Sequence, residues 1–193
     1  ARSPAMGEQV ALLALLLLQH ARRDARSNAV GDLVALEDQD RTTWDAGNIA
    51  EGLSLLQKVQ RIDHAGVYRI QAAIAGIHAR AMSDQDTDWA GIQAHYAALY
   101  VLQPTPVIRL NHIAAQAKTE GAAFALREMQ ALETDLHGYR WFHAMRGGLL
   151  LQTGDYDAAI TAYDTALSLD PTGPERHAIQ QKISLCREMS VVM

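Results

Sequence analysis

Residues 149–171, "LLLQTGDYDAAITAYDTALSLDP", constrain the fold more than any other part of the sequence. A glycine at a turn, Gly154, is followed by two small residues, Ala159 and Ala166, on either side of the aromatic Tyr163. Small residues let two helices approach to about 8–10 Å, and an aromatic ring fills the space beside their crossing. The stretch therefore predicts most of a helix–turn–helix unit that ends on its final Asp-Pro pair.

A second proline indicates that this unit is repeated. Pro104 precedes Pro171 by about two periods of 34 residues, which puts the starts of three units near Ala73, Val107 and Arg140. The last unit resembles the tetratricopeptide (TPR) repeat, a stacked pair of helices, and the two earlier units resemble it less. The residues that we expect to make the repeat packing contacts are Gly147, Gly154, Ala159, Tyr163, Ala166 and Pro171.

We therefore expect an all-α protein, a TPR-like solenoid of about three helix pairs with an N-terminal helical cap. Residues 1–72 are expected to pack on the repeats, residues 73–173 to form the pairs, and residues 174–193 to form a capping helix of the same continuous domain. An irregular helical bundle with one hairpin is the alternative. The periodicity and turn residues predict helices over 5–26, 68–82, 89–102, 106–119, 121–135, 139–153, 155–169 and 174–190. A further helix is predicted to begin after a cap at Thr42 or Thr43 and to end at about residue 61.

The overall composition excludes several classes of protein. With 49% hydrophobic residues the chain is not a disordered tail, and a net charge of −5 argues against a phosphate-binding surface over the whole domain. The single cysteine, Cys186, cannot form a disulfide within the chain and suits a reducing cytoplasm. We expect a cytoplasmic protein.

The apolar run "VALLALLLL", residues 10–18, raises the question of a membrane segment. It is shorter than the ~20 residues that cross a bilayer. Glu8 precedes it and three arginines follow it, which is the reverse of the charge order of a signal peptide. The run predicts a mostly buried helix and no membrane partner.

Residues 37–45, "EDQDRTTWD", carry several carboxylates around one arginine. A calcium loop is disfavoured because the turn glycine and the distant bidentate glutamate are missing. We expect Arg41 to pair with Asp38 or Asp45 and to fix the loop, with Trp44 packed beneath it. A purely structural network and a docking loop both remain open. The residues of this candidate loop are Asp38, Asp40, Arg41, Trp44 and Asp45.

In a TPR-like stack the first helix of each pair lines a groove. By position, the groove-facing residues of the middle unit are Ile108, Asn111, Ala115 and Lys118, and those of the last unit are Trp141, Ala144, Gly148 and Gln152. Asn111 could bond a partner's backbone. Trp141 could anchor an apolar side chain of a partner, or it could pack against the preceding helix.

No set of residues predicts an enzyme, a metal site or a cofactor site. The 8 histidines include no HExxH or other zinc spacing, and His78 on an apolar helix face predicts a hydrogen-bonded core side chain. A glycine-rich phosphate loop, a nucleophile elbow and a nucleophile–base pair are all missing from the sequence.

A wider resemblance covers residues 9–189, through the ordered strings "LALLLLQHARRDAR", "LVALEDQDRTTWD", "IAEGLSLL", "YRIQAAIAGIHA", "DTDWAGIQAHY", "PTPVIRLNHIAA" and "YRWFHAMRGGLLLQTG". Together they resemble the C-terminal TPR-like extension of bacterial extracytoplasmic-function (ECF) RNA polymerase sigma factors. The resemblance implies that the DNA-binding and polymerase-binding sigma regions lie upstream of this chain. Relatives usually carry arginine where this chain has His112, which implies a pH-dependent contact here.

The resemblance implies a regulatory interaction domain without an enzymatic reaction. Its expected partners are the sigma regions of the same full-length protein, RNA polymerase or a signalling protein, with DNA bound only through the upstream regions. The alternatives are a helical domain that senses a small ligand and a TPR scaffold unrelated to sigma factors.

Overall fold

The computed structural model describes residues 4–29, 31–59 and 66–191, and within these ranges it contains helices and no β-strand. The helices are α1 (Pro4–His20), α2 (Ala46–Val59), α3 (Val67–Arg80), α4 (Trp89–Leu102), α5 (Pro106–Glu120), α6 (Ala122–Met129), α7 (Glu133–Leu136), α8 (Arg140–Gln152), α9 (Tyr156–Ser168) and α10 (Gly173–Val191). The prediction of an all-α helical array is confirmed. The break predicted at residues 63–66 lies almost wholly outside the described residues.

The chain forms two compact units, divided between Pro104 and Thr105. Unit 1 comprises Ala1–Asn28 and Val34–Pro104, and unit 2 comprises Ala29–Leu33 and Thr105–Met193. The first of the three predicted helix pairs, α3 with α4, therefore belongs with α1 and α2 and not with the two later pairs. This boundary differs from the one expected after residue 72.

In unit 1, α1 packs against α2 and α3 through small residues. The buried cluster consists of Ala11, Ala14, Leu56, Val59 and Ala72. Alanine side chains let the helix backbones approach closely, whereas Leu13 and Leu16 on the other face of α1 are 47% and 57% exposed. None of the helices within the described residues has the length and apolar character needed to cross a membrane.

The start of α3 is capped by a side chain from a distant helix. Glu8 of α1 accepts hydrogen bonds from the backbone N–H of Tyr68 at 2.9 Å and of Arg69 at 3.3 Å. A carboxylate is favourable there because the first N–H groups of a helix lack acceptors and carry partial positive charge. Gly66 leaves room for this carboxylate, since a Cβ there would lie 1.9 Å from Glu8 Cδ.

In unit 2 the ends of the helices follow local rules. Thr105 Oγ1 accepts from the N–H of Ile108 at 3.3 Å at the start of α5, and Asp155 Oδ1 accepts from the N–H of Ala158 at 3.2 Å at the start of α9. Gly121 ends α5 with φ +89°. The single helix expected over 121–135 is interrupted by a 3₁₀ turn, Gln130–Leu132, between α6 and α7.

The last pair of helices shows the close crossing that its sequence predicts. A Cβ added to Gly147 of α8 would lie 2.7 Å from Cε1 of Tyr163 on α9, so only glycine fits without a shift. Tyr163 is buried, as are Ala159 and Ala166, which are both 0% exposed. Gly154 forms the turn between the helices with φ +80°.

Candidate protein-interaction site

The residues predicted to line a groove in the last pair lie on one face of α8. Trp141, Gly148 and Gln152 are spaced by seven and four positions, which places them on the same side of a helix. Trp141 is 43% exposed. The guanidinium carbon of Arg140 lies 5.4 Å from the centre of its ring. A large aromatic surface is thus available to a partner.

On α5 two of the residues predicted to face a groove are exposed, and the other two are buried. Asn111 and Lys118 are exposed and share their face with Val107, which is 37% exposed. Ile108 and Ala115 are 9% and 1% exposed, so they face neighbouring residues and not a groove. The physical reason is that α5 is covered on more than one side. Ile108 and Ala115 lie two turns apart on one face of the helix, and that face belongs to its buried part.

A polar network joins α5 to α6. The guanidinium of Arg109 donates to His112 Nδ1 at 2.9 Å, to Gln116 Oε1 at 3.3 Å and to the carboxylate of Glu128. Arginine can only donate, so His112 accepts as a neutral imidazole. Burial and then the charge of Arg109 lower the pKa of His112. The histidine identified in the sequence is therefore a neutral hydrogen-bond acceptor at neutral pH.

A second network ties α8 to the start of α10. Arg140 donates to Glu175 Oε1 at 3.0 Å, and the backbone N–H of Thr172 donates to Glu175 Oε2 at 2.8 Å. Burial raises the pKa of Glu175, but the bonds from Thr172 and Arg140 outweigh it and lower the pKa overall. This ion pair fixes Arg140 beside the exposed Trp141.

In unit 1 Arg41 is a hub between elements that are distant in sequence. Its Nη1 donates to the carbonyl oxygens of His78 at 3.0 Å and Ala81 at 3.2 Å, and its Nη2 donates to Thr87 Oγ1 at 3.1 Å. The expected pairing of Arg41 with Asp38 or Asp45 is therefore wrong. One guanidinium donates to several carbonyl oxygens at the end of α3 at once. Pairing Arg41 with a nearby carboxylate would leave those oxygens without this donor.

Trp44 lies beneath Arg41, as the sequence predicts, with the guanidinium carbon 5.4 Å from its ring centre. Trp44 is 6% exposed. Burial lowers the pKa of Arg41, and the charges of Asp84 and Asp86 raise it in part. The loop thus holds a cation against an aromatic ring, mostly out of water.

The carboxylates of this loop serve local turns. Asp40 accepts from the N–H of Thr42 at 2.9 Å and caps the 3₁₀ turn Arg41–Thr43. Asp45 accepts from the N–H of Asn48 at 2.9 Å, which makes it the cap of α2 in place of the threonines that we expected. Asp38 is exposed. The hydrogen bond from the Thr42 hydroxyl, and then the one from the Thr42 backbone N–H, lower the pKa of Asp40. The backbone N–H of Asn48 lowers the pKa of Asp45.

Sequence reasoning missed the long-range partners in this arrangement. The bonds of Glu8 with the start of α3, and of Arg41 with Thr87, join residues 60 and 46 positions apart. No local motif predicts such pairs. Within the described residues, no three His, Cys, Asp or Glu side chains approach one another as metal ligands would.

The chain is similar to two known protein families and to a curated protein. Residues 147–178 match the TPR repeat family, and residues 1–60 match a family of unknown function, DUF6596. An uncharacterized protein of Rhizobium meliloti (strain 1021) is 45% identical over 180 residues, which cover 93% of this chain and 43% of that protein. The chain thus spans less than half the length of this curated relative. No solved structure matches.

The TPR match falls on the region where Gly147 and Tyr163 make the close helix crossing. The chain therefore contains a TPR-like helical region, which indicates a scaffold for protein partners. The match to DUF6596 covers α1, the Arg41 loop and α2 but carries no stated function.

Proposed function

We propose that this chain is the regulatory interaction domain of an ECF-type RNA polymerase sigma factor, and that it modulates the initiation of transcription without being an enzyme. The TPR-like region with an exposed Trp141 supports a protein-binding role. The ordered strings from "LALLLLQHARRDAR" to "YRWFHAMRGGLLLQTG" support the sigma context. The greater length of the Rhizobium relative leaves room for further regions in a protein of this kind.

The observation that carries the binding role is the face of α8. Trp141 has an aromatic surface that is 43% exposed, and Arg140 stacks on it while the buried Glu175 holds Arg140 in place. Tryptophan and arginine are the residue types that dominate binding energy in protein interfaces. Asn111 and Lys118 on α5 add polar groups from the same unit.

The proposed partners are the sigma regions of the same protein, RNA polymerase or a signalling protein. Any contact with DNA would come from those sigma regions. The test is a reporter strain that expresses either the full reading frame or the frame without residues 1–193. We expect promoter-directed transcription to change when the domain is removed, and unchanged output would contradict the proposal.

A second arm of this test locates the surface. Trp141→Ala combined with Asn111→Ala should change reporter output in the same direction as the deletion. Asp164→Asn, on the exposed face of α9, is the matched control and should leave output unchanged. Equal outputs for the two variants at equal protein levels would show that the face of α8 and α5 is not the interaction surface.

A further inference from the structure

One side of α1 is uncovered although the helix is apolar on every side. Leu13 and Leu16 are 47% and 57% exposed, and Met6 is 49% exposed. A helix that is hydrophobic all round is normally buried all round. Single exposed apolar residues need no explanation, but several on one side of one helix form a surface suited to an apolar partner.

The exposed residues of α1 follow the spacing at which two helices pack along each other. Met6, Gln9, Leu13, Leu16 and His20 are all exposed and are separated by three, four, three and four positions. This alternation aligns side chains along one side of a helix and is the spacing of a helix-packing seam. The line from residue 6 to residue 20 is about 21 Å long at 1.5 Å per residue. We call these five residues the α1 stripe.

The C-terminal end of the α1 stripe is rich in arginine. Nη1 of Arg23 donates to Nε2 of His20, the last residue of the stripe, at 2.7 Å. Arg22 donates to Gln19 Oε1 at 2.9 Å, and Arg26 donates to the carbonyl oxygen of Gln19 at 2.8 Å. Three guanidinium groups are thus held at the end of α1.

The carboxylates near these arginines leave an excess of positive charge. Asp24 pairs with Arg23 at 3.1 Å. Asp45 joins the same turn by donating its N–H to the Ala21 carbonyl oxygen at 2.8 Å, while its carboxylate accepts from Asn48. The three arginines therefore outnumber the two carboxylates. Charge complementarity at this end favours a partner with acidic side chains and disfavours a basic one.

A second copy of α1 does not offer that charge. Residues 4–20 contain one acidic side chain, Glu8, and its carboxylate already accepts from the N–H groups of Tyr68 and Arg69. Two α1 helices packed in the same direction would bring their arginines together. In the opposite direction, each basic end would meet a helix start whose carboxylate is occupied. Charge therefore favours a different helix over a second copy.

The size of the α1 stripe favours a partner that belongs to the same polypeptide. A strip about 21 Å long and one helix diameter, ~10 Å, wide covers roughly 200 Å² in projection. Stable interfaces between separate proteins bury about 800 Å² on each partner. A tethered segment needs less area, because its linker keeps it at an effective concentration in the millimolar range. The Rhizobium relative has more than half of its length outside the match, which is room for such a segment.

We propose that the α1 stripe docks an amphipathic helix that carries acidic residues and belongs to the part of the full-length protein outside this chain. Apolar residues of that helix pack on Leu13 and Leu16, and its carboxylates meet Arg22 and Arg23. The inference rests on the proposed function only for the existence of further regions in the same polypeptide. It adds a second contact surface, which lies in unit 1 and uses none of the residues of α5 or α8.

The test measures thiol reactivity at position 9 in the 193-residue chain and in the full reading frame. Cys186 is 0% exposed, so Gln9→Cys supplies an accessible thiol without removing an apolar residue from the stripe. We expect a maleimide reagent to modify this thiol at least about tenfold more slowly in the full-length protein, because the docked helix covers it.

The matched control is Gln57→Cys, at an exposed glutamine of α2. Its thiol should react at the same rate in the 193-residue chain and in the full-length protein. Equal rates at position 9 in the two proteins would overturn the proposal. Equal protection at positions 9 and 57 would also overturn it, because the α1 stripe would then not be the covered surface.

A charge reversal tests the acidic character of the docked helix. In the full-length Gln9→Cys protein, Arg23→Glu should raise the rate of thiol modification about three- to fivefold, because an exposed attraction becomes a repulsion. Arg187→Glu, at an exposed arginine of α10, is the matched control and should leave the rate unchanged. Equal rates for these two variants would contradict an acidic partner and overturn the proposal.

Light scattering tests the alternative that a second copy covers the stripe. The 193-residue chain should be a monomer with a reactive thiol at position 9. A dimer that protects position 9 would show that a second copy occupies the α1 stripe, and it would overturn the proposal.

The outcome for this inference is separate from the outcome for the proposed function. A change in reporter output on deletion of the domain, with position 9 equally reactive in both proteins, would uphold the proposed function and overturn this inference. Protection of position 9 with unchanged reporter output would uphold the docked helix and contradict the regulatory role.

Discussion

The two units of this protein are held together in different ways. In unit 2 the last helix pair depends on shape, because Gly147 admits the ring of Tyr163 at a distance that any Cβ would obstruct. In unit 1 both ends of α3 depend on polar side chains from distant elements, with Glu8 at its start and Arg41 at its end. Repetition of a sequence pattern can reproduce the first kind of contact, whereas the second needs individual residues at individual places.

This difference explains why the TPR match covers residues 147–178 and not the pair formed by α3 and α4. The later pair carries the small and large residues that define the repeat. In the earlier pair, α3 begins without a capping side chain of its own and ends on carbonyl oxygens to which Arg41 donates.

The largest expected effect tests the fit of shapes in unit 2. Gly147→Val should lower the free energy of unfolding by roughly 3 kcal/mol, because its side chain overlaps the buried Tyr163. Gly148→Ala is the matched control, since its Cβ would meet only Tyr163 Oη at 3.6 Å. It should be neutral or raise stability by up to ~1 kcal/mol through helix propensity. Urea unfolding measures both, and similar losses for the two variants would contradict the contact.

The next largest effect is expected from the protonation of His78 in the interior of unit 1, which makes the free energy of unfolding depend on pH. Burial, with the charges of Arg41 and Arg22, lowers the pKa of His78 from 6.5 to about 4. The unfolded chain therefore binds a proton at a higher pH than the folded chain, and acidification between these values favours unfolding. Stability should fall by about 2 kcal/mol between pH 6.5 and pH 4.5 because of this residue.

The control for the pH effect is His78→Phe, which keeps a ring beside Trp89, whose centre lies 5.3 Å away. Other histidines with lowered pKa values, such as His112, titrate in both proteins and cancel in the comparison. The difference in unfolding free energy between the two proteins should change across this pH interval. Parallel pH profiles would exclude His78 as the source.

A smaller effect is expected from Arg41→Lys. Lysine keeps the charge but loses the planar fork that reaches two carbonyl oxygens and Thr87, so unfolding should become easier by about 1–2 kcal/mol. Arg23→Lys, at a side chain that is 59% exposed, should change stability by less than ~0.5 kcal/mol. Thermal unfolding compares the two, and indistinguishable midpoints would show that Arg41 is not a structural hub.

The smallest effect concerns the exposed ion pair of unit 2. Arg146 and Glu133 approach to 2.9 Å with side chains 42% and 51% exposed. A double-mutant cycle with Arg146→Ala and Glu133→Ala should give a coupling energy below ~1 kcal/mol that declines with added salt. A larger, salt-independent coupling would mean that this exposed ion pair contributes to the stability of unit 2 as much as the Arg41 contacts contribute to unit 1.

Local signals predicted most of the helices because their causes lie within a few residues. The bounds of α4 agree with the expected 89–102, and α8 and α9 agree within one residue at each end. Asp155, Thr105 and the turn glycines act on their immediate neighbours, so the sequence displays both cause and effect. The break between α6 and α7 was missed because no strong turn residue marks it.

The candidate groove was predictable only in part. The spacing of Trp141 and Gln152 along α8 fixes that they share a face, and both are exposed. The same reasoning failed for Ile108, because its burial depends on which other elements cover α5. Periodicity assigns residues to faces of a helix, but it does not say how many faces are covered.

The sequence by itself determined the helical class, most of the helix ends and the close crossing of Gly147 with Tyr163, since these follow from steric and hydrogen-bonding rules that act over one or two turns. The tertiary structure alone decided that Arg41 serves α3 and not its neighbouring carboxylates, that Glu8 caps a helix 60 positions away, and that α3 and α4 belong with α1 and α2. The physical reason is that these contacts form only after the chain has brought distant segments together, and their choice of partner depends on the whole packed arrangement.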